Sequence, residues 1–470
     1  MIKKQLFLIT IILLILLLSN NAFSFILSSD NLYNERFEDS MISNNVILDS
    51  GKVDIIYPRS TVPIIVEKGR FFTIDFSSED FEQIFVSIST AYEPIVDEIY
   101  LDIVNLWKTN EIWHANVTVP IIIPEKLYNI SLIIYQNDTF YSLSRPRSVN
   151  VIDELQDNFT FIHLADFHVG DPRGLLESIK ETIGWKSVKR CINEVNLLHP
   201  DFVIISGDLV FGQLYPFEYS REYKKCYEMI QMFDVPTYLV PGNHDGYRRI
   251  FEDGLEIWKE YFGPLFYSFN YGNYHFQAVN SFDWIPLHRL CTSFISLNWG
   301  GSIQDEQLDW IQKDLNETDT KLKFMFLHHN PLWDTKKDSL LRMGYNNREE
   351  LLNLIYENSV DMVLAGHVHV DNVTVENGTI FLTTTTPESE IRTKDGYWGY
   401  RKVDIVNGSI YSYNYEEPKY SIPSYKLNVE YDGLYQAKIK NELDEDFKIL
   451  IKFIVPKRPY TIENAKIEMI

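Results

Sequence analysis

Five short segments gather imidazole, carboxylate and carboxamide groups just beyond apolar runs. They are Asp166-Phe-His168, Gly207-Asp208, Gly242-Asn243-His244-Asp245, His328-His329 and Gly366-His367-Val-His369. The alternate spacing in Asp-x-His and His-x-His can aim two donors at one point. Mixed nitrogen and oxygen donors suit Zn, Mn or Fe, whereas a calcium site would be built from oxygen alone. Glycine before Asp208, Asn243 and His367 permits tight backbone turns beside a bulky ion. Taken singly, an Asp-x-His or a Gly-Asp is ordinary turn chemistry. All five in one chain, each after an apolar run, form a specific constellation.

The elements that must position these groups change character along the chain. Between about Val53 and Val151 lie short β-rich runs (Val53–Tyr57, Phe71–Phe76, Ile84–Ser89, Val117–Ile123, Ile130–Tyr135) punctuated by Pro, Gly and Asn-Asp. They predict an all-β, immunoglobulin-like sandwich over 51–152. From about Asn158, apolar strands alternate with amphipathic helices. Strands are expected at Phe159–Leu164, Phe202–Ser206, Thr237–Val240, Leu322–Leu327 and Met362–Ala365. Helices are expected through Trp185–Leu198 and Phe217–Phe233, and hairpins turn at Gly272-Asn273 and Asn377-Gly378. This alternation predicts an α/β layer architecture over 153–418. In open α/β sheets ligands bind beyond the carboxyl ends of strands, so motifs remote in sequence can converge there. Residues 419–470 return to β-like alternation (Tyr425–Tyr431, Leu434–Ile439, Lys448–Ile454) and read as a short C-terminal β-rich segment.

With these motifs the chain resembles the calcineurin-like metallophosphoesterase superfamily, whose pattern is Asp-x-His, Gly-Asp, Gly-Asn-His-(Asp/Glu), a His after a strand, and Gly-His-x-His. The resemblance runs over roughly 159–415 and includes Phe262-Gly-Pro-Leu-Phe-Tyr-Ser-Phe269 and the segment with Gln307 and Trp310. It implies a four-layer α/β/β/α sandwich. It also implies a dinuclear centre in which Asp166, His168 and His369 hold one metal ion, Asn243, His328 and His367 hold the other, and Asp208 bridges them. A metal-activated hydroxide would attack phosphorus, with His244 stabilising charge or protonating the leaving oxygen. Asp245 would orient His244 or its loop. His329 competes with His328, because family members often carry His-x-Pro and the sequence here is His-His-Asn-Pro. Arg248 is the chosen contact for a substrate phosphate, with Arg249, Asp171 and Arg173 nearby. His163, His275 and His288 are read as structural or exposed.

Departures narrow the family. Phe211 stands where purple acid phosphatases place a ligating Tyr, and the Asp-Arg-Gly extension of protein phosphatases is absent after Gly207-Asp208. The expected substrates are small phosphomonoesters, phosphodiesters or nucleotides. A non-catalytic, metal-containing surface binding protein is the alternative reading.

The 470 residues exceed what one core usually organises. A net charge of −23 argues against binding duplex nucleic acid or anionic lipid without sequence preference. Lys3 and Lys4 precede an apolar run over 6–18, and Ala22-Phe23-Ser24 supplies small residues, so 1–24 reads as a secretory signal. An uncleaved membrane anchor is the competing reading. The polar stretch 25–50 reads as a linker, and the β regions flanking 153–418 as candidates for cell-surface attachment. Sequons at Asn116, Asn129, Asn137, Asn158, Asn316, Asn372, Asn377 and Asn407 suit export. Cys191, Cys226 and Cys291 are too few for a disulfide framework.

Overall fold

The computed structural model describes residues 46–48, 53–91, 98–171, 183–213, 218–292, 295–296, 298–333, 344–388, 398–418, 427–431 and 437–442. The expected signal, Arg173 and the run 448–454 lie outside them. The described residues from 47 onward belong to one compact unit.

From Val53 to Ile152 the chain is β throughout. One half runs Thr139–Ile152, Lys126–Gln136 and Gln83–Thr90, and the other runs Ile112–Thr118, Phe71–Ser78 and Val53–Tyr57. The strand Ile99–Thr109 joins them. Its first residues pair with Val86–Ile88, it bulges between Ile103 and Asn105, and its remainder pairs with Ile112–Thr118. Such a bulge bends a strand and lets one sheet turn into a second layer. Val86, Ile130 and Leu132 from one half pack with Ile55, Ile74, Phe76 and Val117 from the other in one buried core. Two expectations need correction. The predicted strand Val117–Ile123 ends at Thr118, because Pro120 has no N–H for a ladder, and Ile121 and Ile122 are exposed. A strand at Val46–Leu48 also falls inside the stretch expected as linker.

Beyond Asn158 two further sheets stack. One runs Thr237–Val240, Phe202–Ser206, Phe159–Leu164, Tyr400–Val406, Ser409–Glu416. The other runs Tyr267–Tyr271, Tyr274–Ala278, Leu322–Phe326, Met362–Ala365, Thr379–Thr383, Asn372–Glu376. Strand periodicity explains the layering, because successive side chains face opposite sides. Phe161, Phe202 and Ile204 face Phe276, Phe324 and Leu364 between the sheets. Their neighbours Ile162, Val203 and Ile205 pack outward on Val188, Ile192, Tyr223 and Cys226, from helices Ile183–Leu198 and Tyr219–Ile230. Met325, Val363 and Phe381 pack on Ile311, Leu351 and Ile355, from helices Asp305–Glu317 and Arg348–Glu357. The result is the four-layer α/β/β/α sandwich. The three cysteines are buried free thiols.

Candidate metal centre

The strands Phe159–Leu164, Phe202–Ser206, Thr237–Val240, Leu322–Phe326 and Met362–Ala365 each hand over to a loop at the same end of the two sheets, and those loops carry the five motifs. Asp166, His168, Asp208, His367 and His369 all have left-handed backbone, with φ of 59°, 48°, 53°, 77° and 52°. Side chains rarely adopt that conformation, and where it persists the surroundings must hold it. The loops also touch closely. A Cβ on Gly207 would lie 2.6 Å from the Gly242 nitrogen, and one on Gly242 would lie 2.2 Å from Asp208 Oδ1. Glycine is therefore required at both positions for the second and third motifs to meet.

Donor atoms converge as follows. His168 Nε2 lies 3.0 Å from His369 Nε2, and Asp166 Oδ1 is 3.6 Å from the first and 3.3 Å from the second. Asp208 Oδ2 lies 3.5 Å from His168 Nε2 and 3.1 Å from His328 Nε2, so it faces both halves of the site. Its other oxygen accepts the His244 backbone N–H at 2.8 Å. Asn243 Oδ1 lies 3.2 Å from His328 Nε2. His367 groups with His328 and His329, their ring nitrogens lying within 4.8 Å of one another. Two imidazole nitrogens meeting beside a carboxylate, with the buried His367 Nδ1 lacking a hydrogen-bond partner, form a donor set that fits metal ions. The site thus brings together every residue expected as a ligand.

The groups behind the donors set their direction. His328 Nδ1 donates to the Ser206 carbonyl at 2.7 Å, which turns Nε2 inward toward Asp208. Asn243 Nδ2 donates to the Tyr247 hydroxyl at 2.7 Å, which turns its oxygen inward. His329 differs. Its Nε2 faces the Trp299 carbonyl and its Nδ1 faces the Ser281 hydroxyl, both at 2.9 Å. With both nitrogens engaged, His329 braces the site while His328 faces it. His163 likewise bridges Thr384 and Ser206 at 2.7 and 2.8 Å. The sequence did not single out Ser206, Ser281 or Thr386, which donates to the Asp166 carbonyl. A backbone carbonyl leaves no residue signature, and a lone Ser or Thr is too common to signal. Tyr247 alone had a cue, four residues after Asn243 on the same turn.

His244 Nδ1 donates to the Phe211 carbonyl at 2.6 Å, and its ring sits 4.5 Å from that of His168. Asp245 does not touch that ring. Its carboxylate instead accepts from Leu209, Val210 and Gly242 backbone N–H groups at 2.9, 3.1 and 2.8 Å, tying the second motif to the third. Asp245 is thus a positioning residue for the loops. Arg248 is half-exposed and lies 3.9 Å from Asp253, and Arg249 is buried on the Gly212 carbonyl and beside Glu218. Asp171 is buried. His275 is pinned between Asn270 and Asp314.

Electrostatics follows from this packing. Burial alone would raise Asp208, but the fields of His328 and His244 outweigh it and hold the carboxyl well below its usual range. Burial would lower His328, yet Asp208 raises it to about 9. Burial lowers His244 to about 4 against the pull of Asp208, and lowers His367 to about 3. Burial, then Asp208, pushes Asp245 up to about 7 against its backbone donors.

The calcineurin-like phosphoesterase family profile matches residues 159–371, the span that holds all five motifs. A protein of Arcobacter nitrofigilis named a probable glycerophosphodiester phosphodiesterase is 30% identical over 49% of this chain and 79% of its own length. This chain is a calcineurin-like phosphoesterase. A probable cyclic nucleotide phosphodiesterase of Coxiella burnetii is 26% identical to this phosphoesterase over 38% of the chain and 65% of its own length. Among solved structures, a dimetal phosphatase from Danio rerio aligns with 62% of the phosphoesterase and 98% of itself, at 16% identity and a TM-score of 0.41. The chain is a metal-dependent phosphoester hydrolase.

Proposed function

We propose that this hydrolase is exported and cleaves small phosphodiesters. The observation that carries the reading is Asp208, whose one oxygen is fixed by the His244 N–H while the other faces donors of both halves of the site. Asp166, His168 and His369 would hold one ion, and Asn243, His328 and His367 the second, with Mn, Fe or Zn matching the donors. Bound ions would supply positive charge to the phosphoryl oxygens and lower the pKa of a coordinated water. The chain's own part is orientation and proton handling. Ser206 and Tyr247 fix the direction of His328 and Asn243. The Phe211 carbonyl holds the His244 proton at Nδ1 and leaves Nε2 toward the site. An arriving anionic phosphoester favours the protonated imidazole, as Asp208 already does, so Nε2 can deliver a proton to the leaving oxygen.

Preference for diesters is supported by the relatives named phosphodiesterases. Export is supported by the basic and apolar N-terminal layout and by exposed sequons at Asn137, Asn158, Asn316, Asn377 and Asn407. Manganese-loaded full-length protein should hydrolyse bis-p-nitrophenyl phosphate faster than p-nitrophenyl phosphate, and Asp208→Ala should abolish both activities. Equal or reversed rates would remove the diester preference. Absence of metal-dependent turnover in folded protein would remove the hydrolytic reading. Secreted protein should begin near residue 25 by intact mass, and an unprocessed chain held in the cytoplasm would refute export.

A further inference from the structure

Large apolar side chains exposed on the catalytic layers are unevenly placed. Among the described residues from 153 onward, Val375 and Tyr411 lie on strands that edge their sheets. The others are Ile250, Phe251, Ile285, Leu287 and Trp299, on three loops beside the metal centre. Ile250, Phe251 and Leu287 are 61, 59 and 69% exposed.

These loops form one structure. Arg248 N donates to the Arg289 carbonyl at 2.6 Å and Cys291 N to the Arg248 carbonyl at 2.8 Å, joining the first loop to the second. Trp284 Nε1 donates to the Gly300 carbonyl at 2.7 Å, and Asp283 N to the Ser302 carbonyl at 3.0 Å, joining the second to the third. Both ends are tied to the site. Tyr247 accepts from Asn243, and the Trp299 carbonyl faces His329 Nε2. Beneath them Phe282 packs against the rings of both Tyr247 and His329. The exposed side chains are therefore carried on a buried, hydrogen-bonded platform, and a clustered apolar patch on such a base marks a binding surface.

We infer that Ile250, Phe251, Ile285, Leu287 and Trp299 form an apolar collar that selects phosphoesters whose alcohol carries a hydrocarbon chain. The inference rests on the hydrolytic reading of the same site. A protein bound permanently on this collar would obstruct the donors, whereas a substrate chain occupies it only while its phosphate is at the metal centre. The strong negative net charge disfavours anionic bilayers as the source of such a chain, which leaves dispersed amphiphiles and zwitterionic surfaces.

The test compares 4-nitrophenyl methyl, butyl and octyl phosphates with manganese-loaded full-length protein. The octyl ester is supplied below its micelle concentration and again in phosphatidylcholine vesicles. We expect kcat/KM to rise about tenfold or more from methyl to octyl, since each methylene removed from water contributes up to about fourfold. A rise with dispersed ester identifies single amphiphiles as the source, and a rise on vesicles alone identifies the bilayer. Phe251→Ser combined with Leu287→Ser should flatten the series to within about twofold, while Val375→Ser should leave the slope intact. A flat series in the unmodified protein, or an unchanged slope in the double variant, overturns the collar. If none of the three esters is turned over, the hydrolytic reading has failed independently. Calorimetric titration of octylphosphonate against methylphosphonate then decides. Tighter octyl binding that the double variant loses upholds the collar, and equal binding overturns it.

Discussion

His328 and His329 are adjacent and both fully buried, yet they serve opposite purposes, and the difference lies in their second nitrogens. His328 has one nitrogen on the Ser206 carbonyl and one toward Asp208, whereas His329 has both on other protein groups. His328→Ala should therefore lose bound metal by elemental analysis, and His329→Gln should retain it. Tyr247→Phe removes the acceptor that fixes the Asn243 amide and should weaken metal binding about 10–100-fold. His244→Ala should lower kcat about 10²–10⁴-fold with metal content unchanged. Loss of metal together with activity would instead make His244 a structural support of Asp208. The donors themselves were legible because imidazole and carboxylate at alternate spacing are uncommon outside such sites. Their left-handed backbone was not, since Asp and His carry no mark of φ. Nor was the choice between His328 and His329, which depends on Ser281 and Trp299, each about thirty to fifty positions away in the chain.

At the level of elements, continuous apolar runs and Gly-containing turns placed the catalytic strands from Phe159 to Thr383 and both hairpins within a residue or two, because period and turn chemistry are local properties, while Ile99–Thr109, Thr139–Ile152, Tyr400–Val406 and Ser409–Glu416 were not anticipated. Val117–Ile123 failed because apolar content continued through a proline that ends the ladder. Polar braces between elements left no periodic trace. Asp314, on the helix Asp305–Glu317, accepts from His275, Ser268 and Gln277 on the facing hairpin. Burial opposes its ionisation, but these donors prevail and hold its carboxyl below the usual range. A carboxyl lowered on folding contributes stability above its unfolded value and loses it as pH falls through the folded one. Asp314→Asn should therefore lower Tm at neutral pH, and the gap from the unmodified protein should close below about pH 4. A gap that persists undiminished at pH 3 would show that the carboxylate charge is not what matters.

On the scale of the whole molecule, the all-β region is built into the catalytic layers. Arg147, buried and itself left-handed, donates to the Ile230 and Val235 carbonyls at 3.0 and 2.7 Å. Removing Arg147 takes a donor from both carbonyls, and although Ile230 keeps the Phe233 N–H, a buried carbonyl short of its donor costs about 1–3 kcal/mol, so Arg147→Ala should unfold at a lower temperature in calorimetry. An unchanged Tm would show that the contact is redundant. Val62 lies in the core between the two catalytic sheets, with Tyr57 and Ile65 packed against it. Tyr238 donates to the Pro63 carbonyl at 3.1 Å, and the Tyr267 hydroxyl lies 3.4 Å from the Thr61 carbonyl.

That berth has a consequence for biosynthesis. The segment around Val62 leaves the ribosome early, but other members of the same core, including Phe276, Phe324 and Phe326, are translated more than two hundred positions later. Until then a nascent chain carries an apolar plug with nowhere to seat it. Chains stalled at residue 240 should be held by chaperones or be cut by protease near Val62, and chains released at residue 418 should protect that segment.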